Sequence, residues 1–331
     1  MGRGRRLTLV MIRRLSHVLL AALVLAALVR CDRQDATEPP VAAAARAVIK
    51  ESRELLEAGK LRKAQDRLKS VLRELQAQPA SDEAQADVYG QLGIVYSHSA
   101  KEVEAIATFE SAADLLHRKF KPSDPRISIA ANRLADAHAQ SGAHVQAVPL
   151  YQQLLTAMRA GLGVSHPGYR TTLGKLADSA AAAGRPKVAI KAIRETLDVL
   201  RQEPEGSQQA AELAKARVKL ARALGDTGAY EEAFEHASAA RKLYETGAVS
   251  DAESLDHAFS VNAVAGVLEK LGRDEEAIGT MALAAELAAE RRPAHDPLVQ
   301  AAQKNLAGLK THVARKQQRA RAATTRTHDE V

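Results

Sequence analysis

The chain has 331 residues, 3% aromatic residues, one cysteine and a formal net charge of +7. A single cysteine excludes an intramolecular disulfide and a zinc site built from several cysteines. The positive charge lies at the two ends of the chain. Residues 1–40 hold 7 Lys and Arg against 3 Asp and Glu, and residues 310–331 hold 6 against 2. The body between them, residues 41–309, has a net charge of −1. A body that binds nucleic acid carries a basic stripe, so we expect no nucleic-acid partner.

The first forty residues predict an export or anchor segment. Five arginines precede an apolar run of twelve residues, Val18 to Val29, and no acid occurs before Asp32. Twelve apolar residues are short for a membrane span and typical of a signal-peptide core. We therefore predict a signal peptide or membrane anchor over residues 1–31 and a polar linker over residues 32–41.

Three interpretations of this leader stay open. The sequence Leu-Val-Arg-Cys ending at Cys31 resembles a bacterial lipoprotein box, with Arg30 in place of a small residue, and makes Cys31 a candidate for lipidation. An uncleaved signal anchor would keep the arginines inside and the body outside. An Arg-rich, acid-poor leader also fits an organelle presequence. We expect a membrane-associated, extracytoplasmic protein on the periplasmic side, with a mitochondrial location as the alternative.

An internal repeat begins after the linker. A Gly-x-x-x-x-Ala pattern recurs six times, once with Ala100 in place of Gly, and the final alanines are 41, 42, 42, 44 and 44 residues apart. The residue twelve before each of these alanines is small, and the residue four after it is apolar. Small residues in one register let two helices approach closely, and larger residues fill the groove between them. The six anchor alanines are Ala64, Ala105, Ala147, Ala189, Ala233 and Ala277.

Each unit reads as a helix, a short turn at the glycine and a second helix. The pattern resembles the tetratricopeptide repeat family in its longer, kinesin-light-chain-like form, where an Asp-Pro or His-Pro often opens the next unit. Here Pro125, Pro167 and Pro297 each lie twenty residues after an anchor alanine. The resemblance implies an all-α, right-handed α-solenoid of about six helix pairs over residues 42–310, closed by a capping helix. The basic residues 311–331 are predicted to be a disordered tail.

The glycine-rich stretch from Gly161 to Gly168 is predicted to be a junction between units. Pro167 disfavours helix at His166, and the glycines let the chain reverse. Ser165 and His166 are adjacent in sequence, and adjacent side chains seldom point toward the same atom. A catalytic pair of serine nucleophile and histidine base is therefore not expected here. No phosphate-binding, metalloprotease or dinucleotide motif occurs in the sequence. We expect no catalytic residues, no metal and no cofactor.

The resemblance implies that the first helix of each pair lines a concave groove. Candidate contacts are polar residues on the first helices, on the side away from the packed small and apolar pair. An asparagine there can both donate to and accept from the backbone of an extended peptide. The predicted groove residues are Asn132, Asp136, Asp178, Lys215, Arg222, Asn262 and Glu269.

These features predict a non-catalytic adaptor or scaffold, exported or tethered to a membrane. Its groove would bind a peptide or helix of a protein partner. An Arg-rich leader before kinesin-light-chain-like repeats also resembles a mitochondrial inner-membrane factor for the assembly or quality control of a respiratory complex. A non-catalytic subunit of an enzyme complex is the other alternative.

Overall fold

A computed structural model describes residues 40–78, 82–121, 124–249 and 255–329, and these residues form thirteen α-helices and no strand. The predicted leader, with Cys31, lies outside the described residues. Of the helices in these ranges, none combines the length and apolar character that a membrane crossing requires. The helices are α1 (Pro40–Glu57), α2 (Leu61–Gln76), α3 (Asp82–His98), α4 (Glu102–Lys119), α5 (Pro125–Gln140), α6 (His144–Gly161), α7 (Pro167–Ala182), α8 (Pro186–Leu200), α9 (Ser207–Gly225), α10 (Tyr230–Glu245), α11 (Asp256–Lys270), α12 (Asp274–Arg291) and α13 (Pro297–Asp329).

The helices fall into two compact units that divide between Ser99 and Ala100. In the first unit α1 packs against both α2 and α3. In the second unit each helix from α4 to α12 packs against the next one in the chain, and α9 also packs against α11. The sequence predicts one solenoid over residues 42–310, whereas this division falls between the two helices of the second predicted pair. The prediction of an all-α solenoid of helix pairs is confirmed.

The anchor alanines are buried in every unit of the repeat. All six are at most 1% exposed. The small residues twelve positions earlier are buried as well, from Ser52 in α1 to Ala265 in α11. The apolar residues four positions after the anchors, such as Leu68 and Tyr151, are also buried. The predicted register is therefore the register of the core, in which small residues allow close helix contact.

One departure from the repeat is compensated locally. Glu51 occupies a position that is apolar in the other five units. It is half-buried, and the guanidinium of Arg67 on α2 donates to its carboxylate at 3.0–3.1 Å. The ion pair lets a carboxylate remain at the edge of the α1–α2 contact because its charge is balanced.

The turn inside each pair uses a left-handed residue five positions before the anchor alanine. Five of these residues are glycines, with φ between 67° and 82°. At Gly184 the amide of Arg185 donates to the carbonyl of Ala180 at 2.8 Å, which satisfies an otherwise free carbonyl at the end of α7. The remaining turn, in the second pair, has Ala100 at φ 52°. Ala100 is the one non-glycine residue with positive φ in the described ranges.

We expect Ala100→Gly to stabilise the protein by up to about 1 kcal/mol, because a Cβ is strained in the left-handed region and glycine is not. The converse change, Gly184→Ala, should destabilise by about 1 kcal/mol, although no atom lies within 4 Å of the added Cβ. Urea unfolding followed by circular dichroism measures both changes. An Ala100→Gly variant less stable than the parent would contradict the strain argument.

The junctions between pairs carry the predicted proline and a side-chain cap. Asp124 accepts from the amide of Arg126 before α5, and its pKa falls to about 2 because the Arg126 side chain also donates to it. The His166 ring nitrogen Nδ1 accepts from the amide of Gly168 at 3.1 Å. Each cap satisfies an amide of the first helical turn, with proline at the position where a missing N–H costs nothing. His166 is thus a helix cap, and the predicted junction is confirmed.

Helix α13 begins like the first helix of another pair, but it continues past the position where the other first helices end in a turn. Asp296 caps it, accepting from the amide of Leu298 at 2.9 Å. Ala314 stands seventeen residues after Pro297, where other first helices have their turn glycine. Without that glycine the helix continues to Asp329, past the predicted start of a disordered tail at residue 311. Lys316 donates to Asp274 of α12 at 2.7 Å, which anchors this extension.

Candidate partner-binding face of the first helices

The seven predicted groove residues lie on the first helices of the second unit, α5, α7, α9 and α11. They stand eighteen, fifteen, eleven or eight residues before an anchor alanine. Steps of three and four residues keep side chains on one side of a helix. We call these four registers on α5, α7, α9 and α11 the groove face.

Asp136 is held in a network that joins two helix pairs. Its carboxylate accepts from the hydroxyl of Tyr151 at 2.6 Å and from the ammonium of Lys175 on α7 at 2.7 Å. The amide of Asn132, one turn away, donates to it at 3.5 Å. Burial first, and then the hydrogen bond to Asp136, raise the pKa of the Tyr151 phenol. Tyr151 therefore stays protonated and donates to Asp136.

Further ion pairs continue this network along the groove face. Lys219 on α9 donates to both carboxylate oxygens of Asp178 on α7, at 2.7 and 2.9 Å. Lys215 on α9 pairs with Asp256 on α11 at 3.1 Å. Each pair joins one first helix to the next, so Asp136, Asp178 and Lys215 stabilise the stacking of pairs as well as presenting charge to a partner.

Arg222 breaks the pattern of ion pairs. It occupies the same register as Asp136 and Asp178, which reach a lysine on the next first helix. On α11, the residue at the position of Lys175 and Lys219, fourteen residues before the anchor alanine, is Ala263, which has no charge. The Arg222 side chain is exposed. A guanidinium without a carboxylate at this register can bind a carboxylate of a partner, singly or through two parallel hydrogen bonds.

Asn262 lies beside a small apolar cavity. The cavity has a volume of about 90 Å³ between α11, α12 and α13, and Phe259, Leu298 and Asn305 also line it. Both Asn262 and Glu269 are half-buried on α11. The two carboxamides at the cavity can hydrogen-bond a peptide backbone while an apolar side chain enters between the helices.

Two apolar residues on the groove face were not among the predicted contacts. Ile129 on α5 is 51% exposed and Phe259 on α11 is 47% exposed. Both stand at the register of Lys215, eighteen residues before an anchor. Their spacing from the anchor alanine, the same as that of Lys215, could have identified both residues, but the prediction included polar residues only. Lys175 and Lys219 were missed as well, because their role depends on contacts between units.

The structure brings Asn132 and Asp136 into contact and links Asp178 and Lys215 to neighbouring helices. Arg222, Asn262 and Glu269 lie on α9 and α11 without a hydrogen bond to one another in the described part of the chain. This face carries charges of both signs. Across the described ranges, no three His, Cys, Asp or Glu side chains are grouped as metal ligands. The arrangement can present a peptide with hydrogen-bonding amides, one unbalanced guanidinium and two apolar contacts.

Comparison with known proteins confirms the resemblance inferred from the repeat. Residues 126–202, which run from the second residue of α5 past the end of α8, match the family model for tetratricopeptide repeats. No curated protein matches the sequence.

Solved structures share the fold at low sequence identity. Nearly identical TPR-like repeats from a kinesin light chain of Podosopora anserina are 20% identical and match with a TM-score of 0.53, over 63% of this chain and 98% of theirs. The apo form of RapI is 10% identical and matches with a TM-score of 0.60, over 82% of this chain and 72% of its own. At these identities the similarity establishes the helical repeat architecture and nothing beyond it.

Proposed function

We propose that this chain is a non-catalytic adaptor or scaffold that binds a peptide or helix of a protein partner on the groove face. The tetratricopeptide architecture supports a role in protein–protein interaction. The observation that carries the proposal is the exposure of Ile129 and Phe259 at one register of this face, among polar side chains. Exposed apolar residues rimmed by polar ones are typical of protein-binding surfaces.

The membrane attachment and the compartment belong to the same proposal. The Arg-rich, apolar leader supports an exported or anchored protein, with lipidation at Cys31 or retention of the leader as the two means of attachment. Partners would then be proteins at the outer face of that membrane.

Arg222 and Asn262 are the best residues for testing the groove face. They lie on that face outside the ion pairs between helices, so their loss should leave the fold intact. Asp136 is a poor choice, because removing it also removes hydrogen bonds from Tyr151 and Lys175.

We expect Arg222→Ala combined with Asn262→Ala to reduce the recovery of the native partner about tenfold or more, since each lost hydrogen bond weakens binding by about 0.5–1.5 kcal/mol and about 1.4 kcal/mol in total is a factor of ten. Affinity purification from the native membranes with quantitative mass spectrometry measures recovery. Glu286→Ala on α12, an exposed position off this face, is the control. Equal recovery by the double variant and the parent, at unchanged melting temperature, would refute the groove assignment.

A further inference from the structure

A second surface of the molecule has the form of a binding site, along α8. A cavity of about 740 Å³ runs along this helix, and none of the seven groove residues lines it. Val164, from the α6–α7 loop, contributes to its wall, as do Leu224 and Thr227 at the end of α9. Its volume is within the range of about 300–1,000 Å³ that ligand clefts occupy. We call this cavity the α8 trough.

The trough combines an apolar floor with a basic end. Ile190, Val199 and Leu224 supply apolar surface, and the last two are buried. Lys187 and Lys191 lie one turn apart on α8, both exposed, and both line the trough. Their spacing places them on the same side of the helix.

Most other charges in the trough are already balanced. Arg194 donates to Glu232 of α10 at 2.6 Å, and Asp198 accepts from Arg201 at 2.8 Å. Arg159 and the hydroxyl of Tyr169 both donate to Glu195. Within the described chain, Lys187 and Lys191 are in none of the ion pairs. They are therefore the cations free to attract an acidic group.

The lysine pair is particular to this helix rather than a property of the repeat. The equivalent positions on the other second helices of the second unit hold no Lys or Arg. On α10 both positions are acidic. The equivalent residues are Val103 and Ala107, Val145 and Pro149, Glu231 and Glu235, and Glu275 and Gly279.

We propose that the α8 trough binds a short segment of a protein partner that combines acidic and aliphatic side chains. The carboxylates pair with Lys187 and Lys191, and the aliphatic side chains cover Ile190 and Val199. Nucleic acid is a poorer match, because the residues that line the trough include no aromatic ring on which bases could stack. This site lies apart from the groove face, and its occupancy does not depend on the function proposed for that face.

A direct test uses a short fluorescein-labelled peptide made of Glu and Leu, with a matched peptide of Lys and Leu, and fluorescence anisotropy with the full chain. We expect the acidic peptide alone to bind, more weakly as salt rises. Lys187→Glu with Lys191→Glu should weaken binding about tenfold, because two attractions become repulsions. Lys270→Glu with Lys304→Glu makes the same change in net charge at exposed positions outside the trough and should leave binding unchanged.

Several outcomes would overturn the proposal. One is equal binding of the acidic and the basic peptide. Another is an equal loss of binding in the trough variant and the control variant, which would indicate that the peptide responds only to the net charge of the protein. Binding of polyuridylate or of phosphatidylserine vesicles at Lys187 and Lys191, without binding of the acidic peptide, would assign the trough to a different ligand. Dimerisation that requires these lysines together with Glu231 and Glu235 would identify a second copy as the occupant. Circular dichroism confirms that every variant is folded.

Discussion

Leu220→Ala is expected to lower the free energy of unfolding of the second unit by about 2–5 kcal/mol. Leu220 is 0% exposed on α9 and stands beside the small residue Ala221, where the helices of the pair approach closely. Truncating it removes buried apolar surface and leaves a cavity, because the surrounding core cannot close completely. Urea unfolding followed by circular dichroism gives the change in midpoint.

Leu162→Ala is the matched control for this prediction. Leu162 is 58% exposed at the end of α6, so its truncation should change the free energy of unfolding by no more than about 0.5 kcal/mol. Because repeat units can unfold separately, the comparison of the two variants is more informative than either absolute value. Similar losses in the two variants would mean that the assigned register is not the register of the core.

The Asp136 network should show strong energetic coupling. Asp136→Ala is expected to destabilise the second unit by about 1–3 kcal/mol, since it leaves the hydroxyl of the buried Tyr151 without its acceptor. Adding Tyr151→Phe removes that unsatisfied hydroxyl, so the double variant should lose less than the sum of the single ones. The coupling energy between them should be about 0.5–3 kcal/mol.

Lys175→Ala separates the ion pair from the buried hydrogen bond. The Lys175 side chain is 36% exposed and its partner 29%, so solvent screens much of the attraction. Its loss should cost less than about 1 kcal/mol. Strict additivity of Asp136→Ala and Tyr151→Phe would show that the hydroxyl finds another partner and that this hydrogen bond does not couple α5 to α6.

The helix pairs could be predicted from sequence because their signals are local. Anchor alanines, small residues twelve positions earlier and turn glycines recur at nearly constant spacing, and each has a direct physical reason in close helix contact or in a left-handed turn. Even Ala100, which breaks the glycine pattern, adopts the same backbone region as the glycines. The junction at His166 was predicted for the same reason, since proline restricts the residue before it.

The missed features depend on contacts between units. The partners of Asp136 and Asp178 are lysines about one repeat length away, and no local rule selects Lys175 or Lys219. The α8 trough requires the end of α9 and the α6–α7 loop to meet beside α8, which no pattern in α8 alone indicates. The extension of α13 was also missed. Basic composition suggested disorder there, whereas alanine, arginine and glutamine favour helix and Lys316 finds an acidic partner.

Site-specific photocrosslinking in the native membranes tests the central proposal, binding of a partner on the groove face, most directly. A benzophenone amino acid would replace Asn262 or Arg222 on that face, and Glu286 on α12 as a control away from both the groove face and the α8 trough. The proposed function predicts one protein adduct, shared by the two groove positions and absent from the control. Adducts that form at Glu286 and not at Asn262 or Arg222 would contradict it.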